Sequence, residues 1–517
     1  MLVSGLGPGG PGIFALDVTS PNATNPAFTG ANVIGDWSTT TKTTTTTTTN
    51  NNCVTRGTQI VCYPTTTTAT NTSTASTLSC VGVSNASTTA ANCGMNLGNT
   101  YGTPQIRRFH NGQWGAVFGN GFGSSTGDAG IYIMLLNTST GAPTFYYLST
   151  GQSGKSDGIA YVSTADLDGD HITDYVYAGD LLGNIWRFDL TSASASSWAV
   201  TPIPVYTTAT GQPITSKLAV VSVLSTPARR VMIEFGTGQE IPLSNSAPAT
   251  YTSAQQSLYG IWDWNLATWN TNSTTQYAAL TSSTTPTAPT SGLTAGSITP
   301  TNLQAQSMAT VTVNGVDYRT VTSNTVCWAG TSGCTTPQYG WYLPLVTGYA
   351  NASDVNLPSS SNNGNPQVYE QVIYNPVLDG DTFIVNTVIP SASSLINCFS
   401  VTAGGFTMAI NPATGGSFTK SVFVPAQSTS TGSGSSGSGS TSSTVYNGVG
   451  LSGTGTVFMV TTNPTNCTGT SCNNVPPCTP GAQSTVVTQT VNGSPTTVQA
   501  NLQCNTTGSR LTWIQRR

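Results

Sequence analysis

One short unit recurs at five places in this chain, and it constrains the fold more than any other feature. Each copy holds a glycine, a run of alternating apolar residues, and an Asp or Asn that opens a turn. The copies lie at residues 12–19, 130–141, 183–191, 259–265 and 405–415. An Asx side chain can cap a turn and glycine tolerates a positive φ, so each unit predicts a strand that ends in a tight turn.

A second β-type run precedes four of these units. These companion runs lie at residues 114–121, 174–180, 230–238 and 381–387. Helical periodicity is almost absent from the chain, so the pattern predicts an all-β fold. A strand pair repeated with variable spacers is typical of propeller blades, and we therefore predict a β-propeller. A β-sandwich built from similar hairpins is the alternative.

The spacers between the units are long and low in complexity. Residues 38–95 are rich in Thr and Asn, residues 266–310 in Ser, Thr and Pro, and residues 427–444 in Gly, Ser and Thr. Loops of this kind vary freely at the surface of a domain, so we expect insertions on one face or the rim of a propeller. The composition of 427–444 predicts a flexible linker.

Charge is scarce in this chain, and that excludes several functions. Only 6% of its 517 residues are charged, against about 25% in an ordinary globular protein, and the net charge is −4. No basic cluster is present to bind phosphates, so nucleic acid is not expected as a partner. No apolar run reaches the roughly 18–20 residues of a membrane span.

The 11 cysteines indicate an oxidising, extracellular setting. None has the CxxC spacing of a zinc site, so disulfides are the better account. Pairing of Cys327 with Cys334 is plausible, as are pairs within the groups at 53–93 and 467–504, although the sequence does not fix the connectivity. Because residues 1–10 lack the pattern of a signal peptide, we expect the chain to be a piece of a longer exported precursor.

An acidic loop is the main candidate site. Seven of the 18 acidic residues lie between positions 157 and 189. Asp166, Asp168, Asp170 and Asp174 occupy positions 1, 3, 5 and 9 of a loop in which Ile172, at position 7, would offer its backbone carbonyl. Ca²⁺ binds six to eight oxygen ligands, and alternate positions of a tightly curled loop can supply them. Without a cation the four carboxylates would repel each other. The sequence therefore predicts a calcium site.

The loop departs from an EF-hand in two ways. His171 stands where the usual glycine would be at position 6, and Tyr177 replaces the bidentate Glu at position 12. The run after the loop reads as a strand rather than as a helix, which predicts a calcium loop inside a β structure. A solvated acidic turn is the alternative, and no nucleophile or base accompanies these acids to suggest catalysis.

Residues 175–190, with the Asp-rich loop just upstream, closely resemble the C-terminal domain of the PilC/PilY family, the type IV pilus tip-associated adhesins. Shorter resemblances follow in the same order along nearly the whole chain, apart from the low-complexity insertions. They lie at residues 5–19, 114–121, 212–215, 235–238, 258–263, 340–343, 388–391 and 509–513.

The resemblance implies a modified β-propeller, seven-bladed in the complete domain, with one Ca²⁺ held by the loop at 166–174. Residues 1–517 would be this domain without its N-terminal blade strands. It also implies an extracellular protein at the pilus tip or outer surface of a Gram-negative-type bacterium. Such proteins contact minor pilins and host or abiotic surfaces. They support pilus assembly or oppose retraction, and they mediate adhesion and twitching motility.

Two other classes of protein were weighed against this interpretation. A secreted quinoprotein-like dehydrogenase would also be a propeller with calcium, but the chain has no vicinal cysteine pair. Its two histidines, His110 and His171, lack the context of a catalytic triad, so we expect no enzyme. A purely structural surface or filament protein, with the Thr-rich insertions as its contact surface, is the third possibility.

Overall fold

The structure is a computed structural model of the chain. It describes residues 1–19, 29–136, 142–201, 204–225, 228–244, 247–280, 298–313, 316–346, 369–379, 382–389, 405–418, 422, 448–452, 457–463, 483–489, 495–500 and 508–510. The chain divides into two compact units. Unit 1 consists of Met1–Pro104 and Ala116–Gly158, and unit 2 of Gln105–Gly115 and Ile159–Arg517.

Strands make up nearly all of the regular structure in the described residues. The strands of the first half are β1 (Leu2–Gly5), β2 (Gly12–Leu16), β3 (Val33–Arg56), β4 (Gln59–Ser76), β5 (Gly82–Ser84), β6 (Gln105–Arg108), β7 (Trp114–Gly119), β8 (Gly130–Leu135), β9 (Thr144–Ser149), β10 (Val162–Ala165), β11 (Tyr175–Gly179), β12 (Asn184–Asp189), β13 (Ala199–Val200), β14 (Tyr206–Thr207), β15 (Ala219–Ser225), β16 (Ala228–Gly236), β17 (Glu240–Ser244), β18 (Ala247–Tyr251) and β19 (Ser257–Trp262).

The helix α1 (Ala267–Asn272) follows β19. The remaining strands are β20 (Gln304–Ala305), β21 (Met308–Val313), β22 (Val316–Val321), β23 (Gly340–Pro344), β24 (Val377–Asp379), β25 (Thr382–Asn386), β26 (Phe406–Ile410), β27 (Gly448–Ser452), β28 (Val457–Asn463), β29 (Gln483–Gln489), β30 (Pro495–Ala500) and β31 (Gly508–Arg510). In the described part of the chain, no helix is long and apolar enough to cross a membrane.

Unit 1 contains two sheets. One has the order β1-β2-β3-β4, and in the other the strands of this unit follow the order β5-β9-β8-β7. The second sheet is packed by aromatic rings, with Phe118 stacked on Tyr132 at 5.5 Å and Tyr132 against Tyr147 at 4.6 Å between centroids. The Tyr132 hydroxyl donates to the carbonyl of Cys93, which ties the residues after β5 to this core.

Beyond the first sheet, β3 and β4 continue as a long two-stranded ribbon. Their register runs unbroken from Thr39 opposite Ser76 to Arg56 opposite Gln59, around a turn at Gly57. The Cys53–Cys62 disulfide crosses the ribbon near this turn. This ribbon lies within residues 38–95, which were predicted only as an insertion of low complexity.

Unit 2 contains the larger sheets. One has the order β10-β11-β12-β13, with β14 also pairing β12, and another the order β20-β23-β19-β16-β15-β31. A third has the order β21-β22-β27-β26-β25-β24. A single cluster of buried apolar side chains runs through all three, including Tyr177, Phe235, Trp341 and Phe383. At Gly260 a Cβ would lie 2.3 Å from the Trp341 indole, so only glycine allows this ring to pack flat on the sheet.

A strand followed by an Asx turn is confirmed in three of the five predicted copies; the turn of the copy at 130–141 lies outside the described residues. In three copies the Asx carboxylate or amide oxygen accepts the N–H two residues later, at 2.9 Å in Asp17, Asp189 and Asn411. The four companion runs also form the expected neighbouring strands, since β7 lies beside β8, β11 pairs β12, β16 pairs β19 and β25 pairs β26.

The disulfide expectations are confirmed where the structure describes them. Cys327 pairs with Cys334, and the first cysteine group forms the pairs Cys53–Cys62 and Cys80–Cys93. The cysteines at 398 and 467–504 lie outside the described residues, as do the whole of 427–444 and residues 281–297 of the insertion predicted at 266–310.

Candidate metal-binding loop

The loop at 166–174 joins β10 to β11 within one sheet. Ala165 and Tyr175 face each other as the last pair of the two strands, and the Asp174 N–H donates to the Ala165 carbonyl at 2.9 Å. The loop curls tightly because Gly169 and His171 both adopt positive φ, at 83° and 67°. His171 therefore adopts the left-handed backbone conformation that glycine adopts at position 6 of an EF-hand loop. This conformation costs conformational free energy in a residue that has a Cβ.

Three of the predicted ligands are brought together. Asp166, Asp168 and Asp174 each offer a carboxylate oxygen, and these atoms lie within 4.8 Å of one another. Asp170 stands outside this group, and its carboxylate accepts the Ile172 N–H at 2.7 Å. The roles of all four carboxylates and of the Ile172 carbonyl as ligands remain predictions.

Backbone hydrogen bonds hold the acidic side chains inward. Asp166 accepts the N–H groups of Gly169 and His171 at 2.7 and 2.9 Å, and Asp168 accepts that of Asp170 at 3.2 Å. In each of these bonds a carboxylate accepts the N–H of a residue a few positions later, as in short Asx motifs, so the backbone curves around the side chain. The loop is thereby wound around its carboxylates.

Asp174 forms the buried floor of the loop. One of its oxygens accepts the Leu167 N–H at 2.6 Å, and the other lies 2.8 Å from His110 Nε2. Burial raises the pKa of Asp174 to about 6, and the hydrogen bond to Asp174 raises the pKa of His110. Burial, followed by the neighbouring carboxylates, also raises the pKa of Asp168.

His110 lies just after β6, and the sequence analysis gave it no part in the site. Its contact with Asp174 depends on a parallel bridge between Phe109 and Thr173, reinforced by the bond from the Thr173 N–H to the Arg108 carbonyl at 2.9 Å. No local pattern signals a contact between residues so distant in sequence. His171, which the sequence placed in the loop, has a side chain that is 69% exposed.

The other acids of the cluster at 157–189 have structural tasks. Asp180 is buried and accepts four donors in the turn between β11 and β12, from the Leu182 N–H, the backbone and side chain of Asn184, and the Trp186 indole, at 2.8–3.0 Å. Asp157 bonds the N–H of Gly158 at 2.8 Å. The density of acids in the sequence thus reflects one candidate ion site and several turn caps.

The donor set fits a hard divalent cation. Its three convergent groups are all carboxylates, which are the ligands that Ca²⁺ prefers, and neutral nitrogen or sulfur ligands are not part of the group. Burial beside like charges disfavours ionised Asp168 and Asp174, so a bound cation would offset an existing electrostatic cost. The residues present therefore fit the predicted ion.

The fold and this loop together define an all-β protein of the propeller class, with a carboxylate loop inside one sheet. Residues 65–282, fewer than half of the residues of the chain, match the family model described as PilY1 beta-propeller domain. The match includes the whole of the loop. The resemblance to the PilC/PilY family is thereby confirmed.

A solved structure supports the same fold. The crystal structure of the Pseudomonas aeruginosa PilY1 C-terminal domain aligns with a TM-score of 0.55 and 22% identity, over 96% of this chain and 79% of that chain. The all-β propeller class is confirmed, whereas the count of seven blades and the domain limits 1–517 remain predictions.

Curated proteins similar to this chain are also named as PilY1 or its homologs. The type IV pilus biogenesis factor PilY1 of Pseudomonas aeruginosa (strain PAK) is 28% identical over 350 residues, which cover 63% of this chain and 26% of the relative. A PilY1 homolog of Xylella fastidiosa is 31% identical over 185 residues, which cover 32% of this chain and 12% of the relative. The chain thus spans about a quarter, or less, of these relatives. They are named as biogenesis factors and not as enzymes, which favours a non-enzymatic role.

Proposed function

We propose that this chain is the calcium-binding propeller part of a type IV pilus biogenesis factor. The observation that carries the proposal is the convergence of three carboxylates on a loop that lies within the region matched to the PilY1 beta-propeller domain. The names of the relatives support a role connected with the pilus. The finer proposal is an extracellular protein at the pilus tip or outer cell surface. It would support pilus assembly or oppose retraction, and it would mediate adhesion and twitching motility.

The loop residues would hold the ion in a defined order. Asp166, Asp168 and Asp174 supply the first oxygens, and Asp170 with the Ile172 carbonyl completes the set. Bound Ca²⁺ would supply positive charge that neutralises the carboxylates and links the two ends of the loop. An ion that binds only the ordered loop stabilises that state by mass action.

His110 acts as a positioning residue for this site. Its ring holds Asp174 Oδ1 while the Leu167 N–H holds Oδ2, so the buried carboxylate is oriented before any ion arrives. The same contact connects the loop to the hairpin of β6. The order of the loop is therefore coupled to a second segment of unit 2, Gln105–Gly115, which gives calcium a route to control shape.

Substitution of Asp168 by Ala tests the ion site. Asp168 is exposed, so its loss leaves the strands intact while it removes one oxygen ligand. Calorimetry should show Ca²⁺ binding to the unchanged chain and a loss of affinity of about tenfold or more in the variant. Asp189→Ala is the matched control, since Asp189 is an exposed Asp in the same sheet that caps a turn. Equal affinity in all three proteins would refute the assignment.

The pilus role is tested separately. A strain that lacks its PilY1-type protein would be supplied with the full-length protein that contains this chain, with and without Asp168→Ala, and pili and twitching would be counted. Restoration by the unchanged protein supports a pilus role, and weaker restoration by the variant supports control by calcium. Failure of both, with the protein present at the cell surface, would argue against the pilus role and leave the ion site unaffected.

A further inference from the structure

The ribbon formed by Thr39–Arg56 and Gln59–Ser76 has no core. Between residues 40 and 73, every side chain that the structure describes is exposed, on both faces of the ribbon. At about 3.4 Å per residue the two strands run for roughly 60 Å. An isolated two-stranded hairpin is marginally stable in water. A ribbon of this length therefore gains much from a further strand.

The turn at Gly57 determines which backbone N–H and C=O groups of β3 point toward β4 and which point away from it. Arg56 and Gln59 flank a two-residue loop, so they form a hydrogen-bonded pair, and such pairs then alternate along the ribbon. Even-numbered residues of β3 thus bond to β4, and odd-numbered residues direct their N–H and C=O outward.

Three features agree with this alternation of inward-bonded even residues and outward-facing odd residues in β3. The Thr39 N–H donates outward to the Pro11 carbonyl at 2.9 Å, and the Ser38 carbonyl accepts the Thr77 N–H at 2.9 Å. Pro64, which has no N–H, stands opposite Asn51 at an outward position of β4, where the ladder loses no donor. The alternation of inward and outward backbone groups therefore holds both near the base of the ribbon and near its turn.

The outer edge of β3 is open and unprotected. β2 covers β3 only as far as Ser38 and Thr39, and no other strand in the described part of the chain pairs this edge beyond that point. From 40 to 55 this edge has one charge, Lys42, and no proline, and residues 43–49 are all threonine. Exposed edges that are neutral, rich in β-formers and free of proline are templates for pairing.

The chemistry of the edge favours a copy of itself. Residues 37–127 contain no Asp or Glu, and the ribbon has only Lys42 and Arg56, so it offers little to a charged partner. Antiparallel pairing about Thr47 would place threonine opposite threonine and Lys42 opposite Asn52, with no like charges in register. The ribbon already pairs threonines in this way, with Thr41 Oγ1 3.1 Å from Thr74 Oγ1.

We propose that residues 41–53 of β3 pair with the same segment of a second copy of this chain. The outward N–H and C=O groups of the odd-numbered residues would form an antiparallel ladder across a twofold axis at Thr47. Two ribbons would then make one four-stranded intermolecular sheet, in which each β3 becomes an inner strand. This inference is independent of the ion site and of the pilus role.

Sedimentation of the full chain from about 1 to 100 µM, the range in which weak dimers form, tests the proposal. We expect a monomer–dimer equilibrium. Residue-resolved hydrogen exchange should show that the outward amides of Thr43, Thr45 and Thr47 become protected as concentration rises. The inward amides of Thr44 and Thr46 should be protected throughout. A chain that stays monomeric, with its outward amides unprotected, would overturn the proposal.

The double variant T45P/T47P removes two outward donors and leaves the ladder to β4, as Pro64 does on the other strand. It should raise the dimer Kd about tenfold or more, since two donors are lost from each copy. T45V/T47V keeps both donors and the branched shape and should dimerise like the unchanged chain. Dimerisation of T45P/T47P with unchanged Kd would contradict the pairing.

Deletion of the ribbon is a second test, which still applies if the two prolines disrupt the β3–β4 ladder. In this variant, Asn-Gly replaces residues 41–74, so that Thr40 and Ala75 are joined by a two-residue turn. The deletion variant should be monomeric at every concentration. A dimer that persists without the ribbon would show that the contact lies elsewhere and would refute the proposal.

Discussion

Glu234 is buried in the middle of β16 without compensation. Its side chain has 0% exposure, and neither carboxylate oxygen has a hydrogen-bond partner among the described residues. Ala219 and Gly260 stand opposite it on the two neighbouring strands, and neither has a polar side chain. Burial raises the pKa of Glu234 well above its ordinary value of 4.5, which favours the uncharged, protonated form in the folded protein.

Replacement of Glu234 by Met should therefore stabilise the protein at neutral pH. The gain is expected to be about 1–3 kcal/mol, the usual cost of a buried polar group without a partner. Because the folded pKa is raised, the unchanged protein loses stability as pH rises above 4.5, where only the unfolded state ionises. The advantage of the variant should thus grow from pH 4 to pH 7.

Denaturant unfolding at several pH values measures this difference. Glu240→Met is the control, because Glu240 is exposed and bonded by the Tyr251 hydroxyl at 3.0 Å. Its substitution should not stabilise the protein in a pH-dependent way. An advantage of Glu234→Met that stays constant with pH would show that Glu234 is ionised in the folded state.

At the scale of elements, Asp263 links two sheets of unit 2. It follows β19, and its carboxylate accepts the Tyr177 hydroxyl of β11 at 2.8 Å and Arg187 of β12 at 2.7 Å. The Arg187 guanidinium also lies over the Tyr175 ring, 5.3 Å from its centroid. The nearby Asp263 charge raises the pKa of Arg187 despite burial, so Arg187 keeps its positive charge.

Substitution of Asp263 by Ala should destabilise unit 2 by about 3–5 kcal/mol, because it leaves the Arg187 charge buried and unpaired. The double variant with Arg187→Met should recover part of that loss, since no charge remains to be satisfied. Thermal or denaturant unfolding of both variants gives the comparison. If the double variant were as unstable as the sum of two independent losses, the two side chains would not be coupled.

The strand pairs were predictable because their signal is local. A glycine, an alternating run and an Asx turn lie within about ten residues, and each step has one physical cause. The ribbon was not predictable in the same way. Its threonine run favours strands but has no apolar face, and its register is set by the turn at Gly57 and the Cys53–Cys62 crosslink.

The site was predictable in part for the same reason. The 1-3-5-9 spacing brings Asp166, Asp168 and Asp174 together within one loop. Spacing alone could not show that the Asp170 carboxylate bonds the Ile172 amide, nor that His110 reaches Asp174 from another strand. The contact of His110 is tertiary, so a local pattern does not contain it. The Asp170 bond is local, but the spacing does not decide whether that carboxylate accepts an amide or faces an ion.

At the scale of the whole molecule, calcium should act as a stabilising ligand. A single ion that binds only the folded state adds about 2.7 kcal/mol at a concentration 100 times its Kd. Thermal unfolding in excess Ca²⁺ and in excess chelator should thus differ by several degrees for the unchanged chain. The Asp168→Ala chain should show little difference. An equal shift in both would mean that calcium acts elsewhere.

The three disulfides that the structure describes all join near neighbours. Their partners are 9, 13 and 7 residues apart in the chain. Each pair can therefore close as soon as its own short segment has been synthesised and oxidised, before any distant strand is present. If oxidation follows the order of the chain, none of these six cysteines has to wait for a partner that is synthesised much later. Maturation of these crosslinks thus requires an oxidant but no shuffling of wrong pairs.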